Sequence, residues 1–420
     1  MSNHRKPMIV ILALLLVLAL VACGQQQQEA AGPKGESATS KEETAAGGVG
    51  EVRGVTGDTI RIGAILDFTG PYKSAGVLMR SGIETYFKYV NDHGGINGRK
   101  VVTFFEDNQS NPPTSLAAAN KLIFNDKVFA LAGVHGSAAF AAIYDLVEKE
   151  KVISFSLGHA TQDFEPLKKM VFQVPTPYYH QAARIVDFFI DDLGIKEPKI
   201  GVIYQDDAMG MDALKGVEAE AKARDIEIVA KEPYQRGATD LSTQVLNLKR
   251  SGAEQVIVGG IFTQAGMFLK EAQKVNYKPA TAGISPTLNE VVFDVAGEAA
   301  DGFYAANCFS MPDDETYVQA EEIAKKYNVE PNPHFLYGFV NAAVLTEALE
   351  AVGDEITPEK VAAALEKLNK VTVPGFVPSI TFGPDKHFAT GASGLFKLDY
   401  AQKKWVPAAP YKEPVGLQKK

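Results

Sequence analysis

Residues 59–72, TIRIGAILDFTGPY, decide the fold. Their apolar run, rich in β-branched side chains, reads as a buried strand that stops at Asp67 and opens into a loop holding Gly70 and Pro71. A helix follows in GVLMRSGIETYFKYVNDHGG (76–95), with Met79, Ile83, Tyr86, Phe87 and Val90 on one stripe and Gly94-Gly95 ending it. Outward from there the unit returns as KVVTFFEDN, SLAAANKLIFND, VFALAGVHG, AAFAAIYDLVEKE and KVISFSLGH. A second series runs from PKIGVIYQDD and MGMDALKGVEAEAKARD to PATAGIS. Strands alternating with helices at this spacing predict an α/β fold of parallel, doubly wound sheets. Ile62-Gly63-Ala64-Ile65 matches Ile200-Gly201-Val202-Ile203, and the pair Gly76 and Gly82 has the spacing of Gly210 and Gly216. This weak repeat predicts two lobes of like topology. After Asp301 come a strand-like GFYAANCF, helices around 316–327, 335–352 and 358–369, and a closing strand-like stretch to Trp405.

The chain has 420 residues, 46% hydrophobic and 22% charged, which suits a globular protein of two lobes. Its net charge is −9, and without residues 1–22, which carry Arg5 and Lys6, 40 basic against 51 acidic residues leave −11. No block of five or more basic residues occurs, so no nucleic-acid partner is expected. Cysteine is sparse: Cys23, and Cys308 in an apolar run where it reads as a small core residue. Metal-ligand spacings, a G-x-S-x-G elbow and a P-loop lysine are all absent from the sequence, so neither catalysis nor a cofactor is expected.

The N-terminus joins a basic start to an apolar core from Met8 to Ala22, short for the ~20 residues of a spanning helix but suited to a signal peptide. Leu20-Val21-Ala22-Cys23 resembles the lipobox of bacterial lipoproteins, which implies acylation of Cys23 and an extracytoplasmic, lipid-anchored protein. Residues 24–57 hold few large apolar side chains and read as a flexible tether.

In open α/β sheets ligands bind beyond the carboxyl ends of strands. Here those ends are DFTGPY (67–72), VHGS (134–137), SLGH (156–159), QDDAMG (205–210), GIFT (260–263) and SPTLNE (285–290). Gly136-Ser137 opens a helix, so Ser137 can cap it, receive a carboxylate, or do both. His135 and His159 stand at strand ends, where a histidine either packs or reaches a ligand.

With those strand ends identified, residues 58–410 resemble the periplasmic Leu/Ile/Val-binding protein family, the type I substrate-binding components of ABC importers. The resemblance rests on IRIGAILDFTGPYKSAG, VNDHGGINGRKVVTFFEDNQSNP, KLIFNDKVFALAGVHGS and VIYQDDAMGMDALKG. It implies two Rossmann-like lobes, 58–174 with 303–381 and 175–302 with 382–412, joined by crossings near Val174-Pro175, Gly302-Phe303 and Thr381-Phe382. It further implies a monomer that closes on a small carboxylate, foremost an apolar or branched-chain amino acid, and serves a permease and ATPase subunits. The family's carboxylate-holding positions fall on Ser137 with Ser156, Leu157 and Gly158, and its aromatic contact falls near Tyr72. Met209 stands where the family has a tyrosine, the aromatic after Gly-Gly is displaced to Phe262, and the ammonium partner falls at Thr287, with Glu290 three residues on. Ser110 and Gly136 occupy the positions of a disulfide found in some members. Relatives of this fold also bind aromatic acids, amides and urea. A sensory binding domain would add a transmembrane or signalling segment, and a secreted enzyme would need a nucleophile or metal site.

Overall fold

Runs that are apolar throughout bury both faces of a strand, and the chain builds two sheets that way. The computed structural model describes residues 52–157, 167–312 and 314–418. The smaller sheet holds β1 (Thr59–Leu66), β2 (Lys100–Asp107), β3 (Ala130–His135), β4 (Ile153–Leu157) and β5 (Val171–Gln173), all parallel, in the order β2-β1-β3-β4-β5. Between them run α1 (Lys73–Asp92), α2 (Pro112–Asn120), α3 (Ser137–Ala141) and α4 (Tyr144–Lys149). Alternation along β1 sends Ile60, Ile62, Ala64 and Leu66 into one core and Ile65 into the other.

After α5 (Tyr178–Asp187) the pattern returns as β6 (Ile200–Gln205), α6 (Ala208–Ala223), β7 (Ile228–Tyr234), α7 (Ser242–Arg250), β8 (Gln255–Gly259), α8 (Phe262–Lys274), β9 (Ala280–Gly283), α9 (Val291–Ala296) and β10 (Tyr304–Asn307). Helices α10 (Glu315–Lys325), α11 (Pro333–Ala351) and α12 (Pro358–Leu365) then join the core of the smaller sheet. The closing β11 (Ser393–Asp399) and β12 (Lys404–Lys412) add antiparallel strands to the larger sheet, whose order is β12-β11-β10-β9-β8-β6-β7.

Three boundaries differ from the sequence expectation. The crossing expected at Gly302-Phe303 falls after Asn307, because Phe303 sits in the larger sheet's core and β10 pairs with β9 and β11. That expected at Thr381-Phe382 falls between Ala389 and Ser393, because Phe382 and Ala389 pack in the smaller sheet's core and Phe388 bridges Gln173. The folded body also begins before Asp58. Val55 bridges Ile60, and Arg53 donates Nε to the Val128 carbonyl at 3.1 Å. The three crossings touch one another: the Thr176 amide donates to Cys308 Sγ at 3.4 Å and its hydroxyl to the Ala392 carbonyl at 2.6 Å. Residues 1–22, Cys23 and the tether as far as residue 51 lie outside the described residues. Among the described residues no helix is long and apolar enough to cross a membrane.

Candidate functional site

Parallel strands end at the same edge of each sheet, and loops from both edges enclose a cavity of about 470 Å³. The smaller-sheet half contributes Tyr72 after β1, Ser110 after β2, His135 at the end of β3 with Gly136 and Ser137 following it, and Leu157 at the end of β4. The larger-sheet half contributes Tyr178, Asp207 and Met209 around α5 and β6, Arg236 after β7, and Gln264 on α8. From α11 come His334 and Tyr337.

On the smaller-sheet side a buried carboxylate fixes the first loop. Asp67 accepts from the Gly70 amide at 2.5 Å, the Tyr72 amide at 3.0 Å and the Ser110 hydroxyl at 2.8 Å. Only glycine fits at 76, because a Cβ there would lie 1.9 Å from the Asp67 carbonyl oxygen. Held this way, the Tyr72 ring packs 4.8 Å from His135 and edge-on to Phe262 at 5.8 Å. Burial pushes the His135 imidazole down to about 4, outweighing the nearby Asp67 carboxylate, and the Arg236 charge adds to the lowering. His334 falls to about 4 as well, through burial and then His135. Burial also raises the Tyr72, Tyr178 and Tyr337 phenols above their ordinary range, so this aromatic wall is uncharged at neutral pH. Tyr337 donates its hydroxyl to Ser285 Oγ at 3.0 Å.

On the opposite side Asp207 caps α6, accepting from the Met209 amide at 3.1 Å and the Gly210 amide at 3.2 Å while the Gln205 side chain donates to its other oxygen. Arg236 reaches across from the β7 loop, its Nη1 donating to the Ser110 carbonyl at 3.2 Å.

Of the residues expected in the site, Tyr72, His135, Gly136, Ser137, Leu157 and Met209 line the cavity. Ser156 lies beneath it, fully buried, with its carbonyl accepting the Asn341 amide at 2.9 Å. Phe262 stands behind Tyr72, outside the lining. Neither expected ammonium partner lines the cavity. Thr287 is wholly buried and turns its hydroxyl to the Ile284 carbonyl at 2.8 Å, while Glu290 is exposed at the start of α9 and Pro286 faces the cavity instead. Gly158 and His159 lie outside the described residues. The helix expected through AAFAAIYDLVEKE breaks into α3 and α4, so the turn carrying Ser137 has five residues and little dipole. Among the described residues no group of three or more His, Cys, Asp or Glu side chains could hold a metal.

Arg236, Tyr337 and His334 were not expected. Arg236 lies two residues beyond the strand IEIVAKEPY, in a strand-end loop like the others, so topology could have flagged it. Tyr337 and His334 belong to a helix more than a hundred residues beyond β6, and no local pattern places them here.

A family model described as periplasmic binding protein matches residues 59–404. The chain is 29% identical over 311 residues to Leu/Ile/Val-binding protein homolog 7 of Brucella suis, covering 70% of this chain and 77% of that one. A fatty acid ABC transporter substrate-binding protein from Thermomonospora curvata superposes with a TM-score of 0.78 at 22% identity, covering 89% of this chain and 97% of that one. A branched chain amino acid ABC transporter structure from Thermus thermophilus with bound valine gives 0.76 at 19% identity, covering 86% and 99%.

Proposed function

The chain belongs to the periplasmic binding protein family, and we propose that it is the solute receptor of an ABC importer, holding a small carboxylate with an apolar or aromatic body. One observation carries this reading: loops at the carboxyl ends of both sheets enclose one cavity, while only three crossings join the two halves. A receptor that closes on its ligand needs that arrangement, since the ligand favours the closed form only through contacts it gains there. The volume of about 470 Å³ suits a small molecule. Neutral rings and Met79, Met209 and Met267 supply apolar contact. The Leu/Ile/Val-binding homolog, and the neighbours named for a fatty acid and for valine, support a carboxylate with an apolar tail.

The proposal includes acylation of Cys23, extracytoplasmic attachment through residues 24–51, and delivery to a permease with its ATPase subunits by a monomer. Thermal-shift screening of the full chain against amino acids, aliphatic and aromatic acids and their amides tests the receptor reading. A rise in melting temperature with the compound recovered unchanged supports it, and conversion of the compound sinks it. Cys23→Ala should move the protein from the membrane to the soluble fraction; unchanged fractionation removes the anchor.

A further inference from the structure

Resting on that receptor reading, we propose that the cavity takes a carboxylate lacking an ammonium group, and that Arg236 recognises the anionic end. Among the described residues that line the cavity, Asp207 and Arg236 are the Asp, Glu, Lys or Arg side chains present. Asp207 is committed: one oxygen accepts the Met209 and Gly210 amides at 3.1 and 3.2 Å, and the other accepts from Gln205. Asp67, behind Tyr72, is satisfied by two amides and the Ser110 hydroxyl. Among the described residues an amino acid's ammonium would therefore find no uncommitted carboxylate, at a cost that disfavours binding.

Arg236 is in the opposite condition. Its guanidinium carries five N–H donors, and its one side-chain hydrogen bond among the described residues runs from Nη1 to the Ser110 carbonyl. It makes no ion pair with a described carboxylate, and its charge is felt at the His135 and Tyr72 rings, so it stands at the aromatic end of the cavity. A planar fork of that kind matches a carboxylate through two parallel hydrogen bonds. Because Arg236 belongs to the larger-sheet half and Ser110 to the smaller, an anion on the guanidinium binds at a point where the halves already meet.

Calorimetry on the full chain with matched pairs decides the matter: 4-methylpentanoate against leucine, and 3-phenylpropionate against phenylalanine. Each acid is expected to bind at least tenfold more tightly than its amino acid. Arg236→Gln, in a variant whose unliganded melting temperature matches the parent, should weaken the acids at least tenfold. It should change 3-phenylpropionamide less than twofold. An amino acid that binds as tightly as its acid overturns the ammonium-free ligand while leaving the receptor reading standing. Unchanged acid affinity in Arg236→Gln overturns the role of that residue. If amides of the screening panel bind and no carboxylate does, this inference fails alone, and if nothing in the panel binds, the receptor reading fails with it.

Discussion

Ser137 follows Gly136, whose φ of 94° is backbone that L side chains avoid, and this turn aims residue 137 into the cavity rather than along α3. Since α3 has only five residues, the contribution of this position rests on the hydroxyl and the adjoining amides, not on a helix dipole. Ser137→Ala is expected to weaken binding of the best carboxylate in the screen at least tenfold, about 1.4 kcal/mol. Glu290→Gln, at an exposed position outside the lining, should leave it within twofold. Titration calorimetry on both variants checks the contrast, and equal losses would undo this placement. These residues also mark what sequence made legible. Strand ends located the loops, because a parallel sheet exposes its carboxyl edge whatever the side chains are. Which way a loop side chain faces depends on tertiary packing: Gly283 leaves room for Thr287 to fold inward, with the threonine Oγ1 2.4 Å from where a Cβ on that glycine would sit.

The repeated glycine spacing has a cause at the level of helices. Gly76 and Gly210 let α1 and α6 start against the strand ends, since a Cβ at either would lie 1.9 or 2.0 Å from the carbonyl oxygen of Asp67 or Gln205. Gly82 and Gly216 then let the same helices press on α11 and α5, with a Cβ falling 2.1 Å from the Phe335 oxygen or 2.0 Å from that of Tyr179. Sequence comparison of the two halves thus picked out backbone contacts made in both. The strand-like GFYAANCF was legible too, but its sheet was not: β10 has four residues, and pairing with β9 and β11 puts it in the larger sheet rather than the smaller. Two effects oppose each other in Gly82→Ala. Alanine favours the helix by roughly 1 kcal/mol, while overpacking against a backbone oxygen costs about 1–3 kcal/mol or more because that oxygen has nowhere to go. The clash should win, leaving the variant less stable by about 2 kcal/mol in urea denaturation. Gly57→Ala, where a Cβ meets nothing within 4 Å, should be neutral. A stabilised Gly82→Ala would mean that α1 and α11 are not packed this closely.

Stability of the whole molecule against pH follows from groups buried in both halves. His135, His180 and His334 are each pushed down to about 4, chiefly by burial. Between that value and the ordinary 6.5 the unfolded chain binds protons that the folded chain refuses, so these histidines make stability rise with pH across that window. Asp187 acts in the other direction. Burial and a shared hydrogen bond with Glu220 raise its carboxyl to about 7, against the lowering by the Val415 amide and by Arg224. From about 4 to 7 the folded chain therefore holds a proton that the unfolded chain releases, and stability falls as pH rises. Glu347, raised by burial and then by Glu350, has the same sense as Asp187. Near pH 5.5 three histidines oppose one strongly shifted aspartate, a net difference of about two protons, so the melting temperature should climb from pH 4.5 to 6. Above that the two effects converge, because three histidines titrating at 6.5 in the unfolded chain nearly balance one aspartate titrating near 7 in the folded chain, and the curve should level off between pH 7 and 8. The part Asp187 plays in that levelling can be isolated, because the Glu413–Gly416 tail closes over it and Glu220. The Val415 amide donates to Asp187 at 2.8 Å, and the Gly416 amide to both Glu220 oxygens at 2.9 and 3.0 Å. Asp187→Asn retains an oxygen for Val415 and supplies N–H donors for Glu220 with no proton to lose. Its melting temperature should therefore keep rising from pH 6.5 to 7.5, where that of the parent levels off. Parallel curves for the two proteins across that range would show that the tail clamp does not hold the titrating proton.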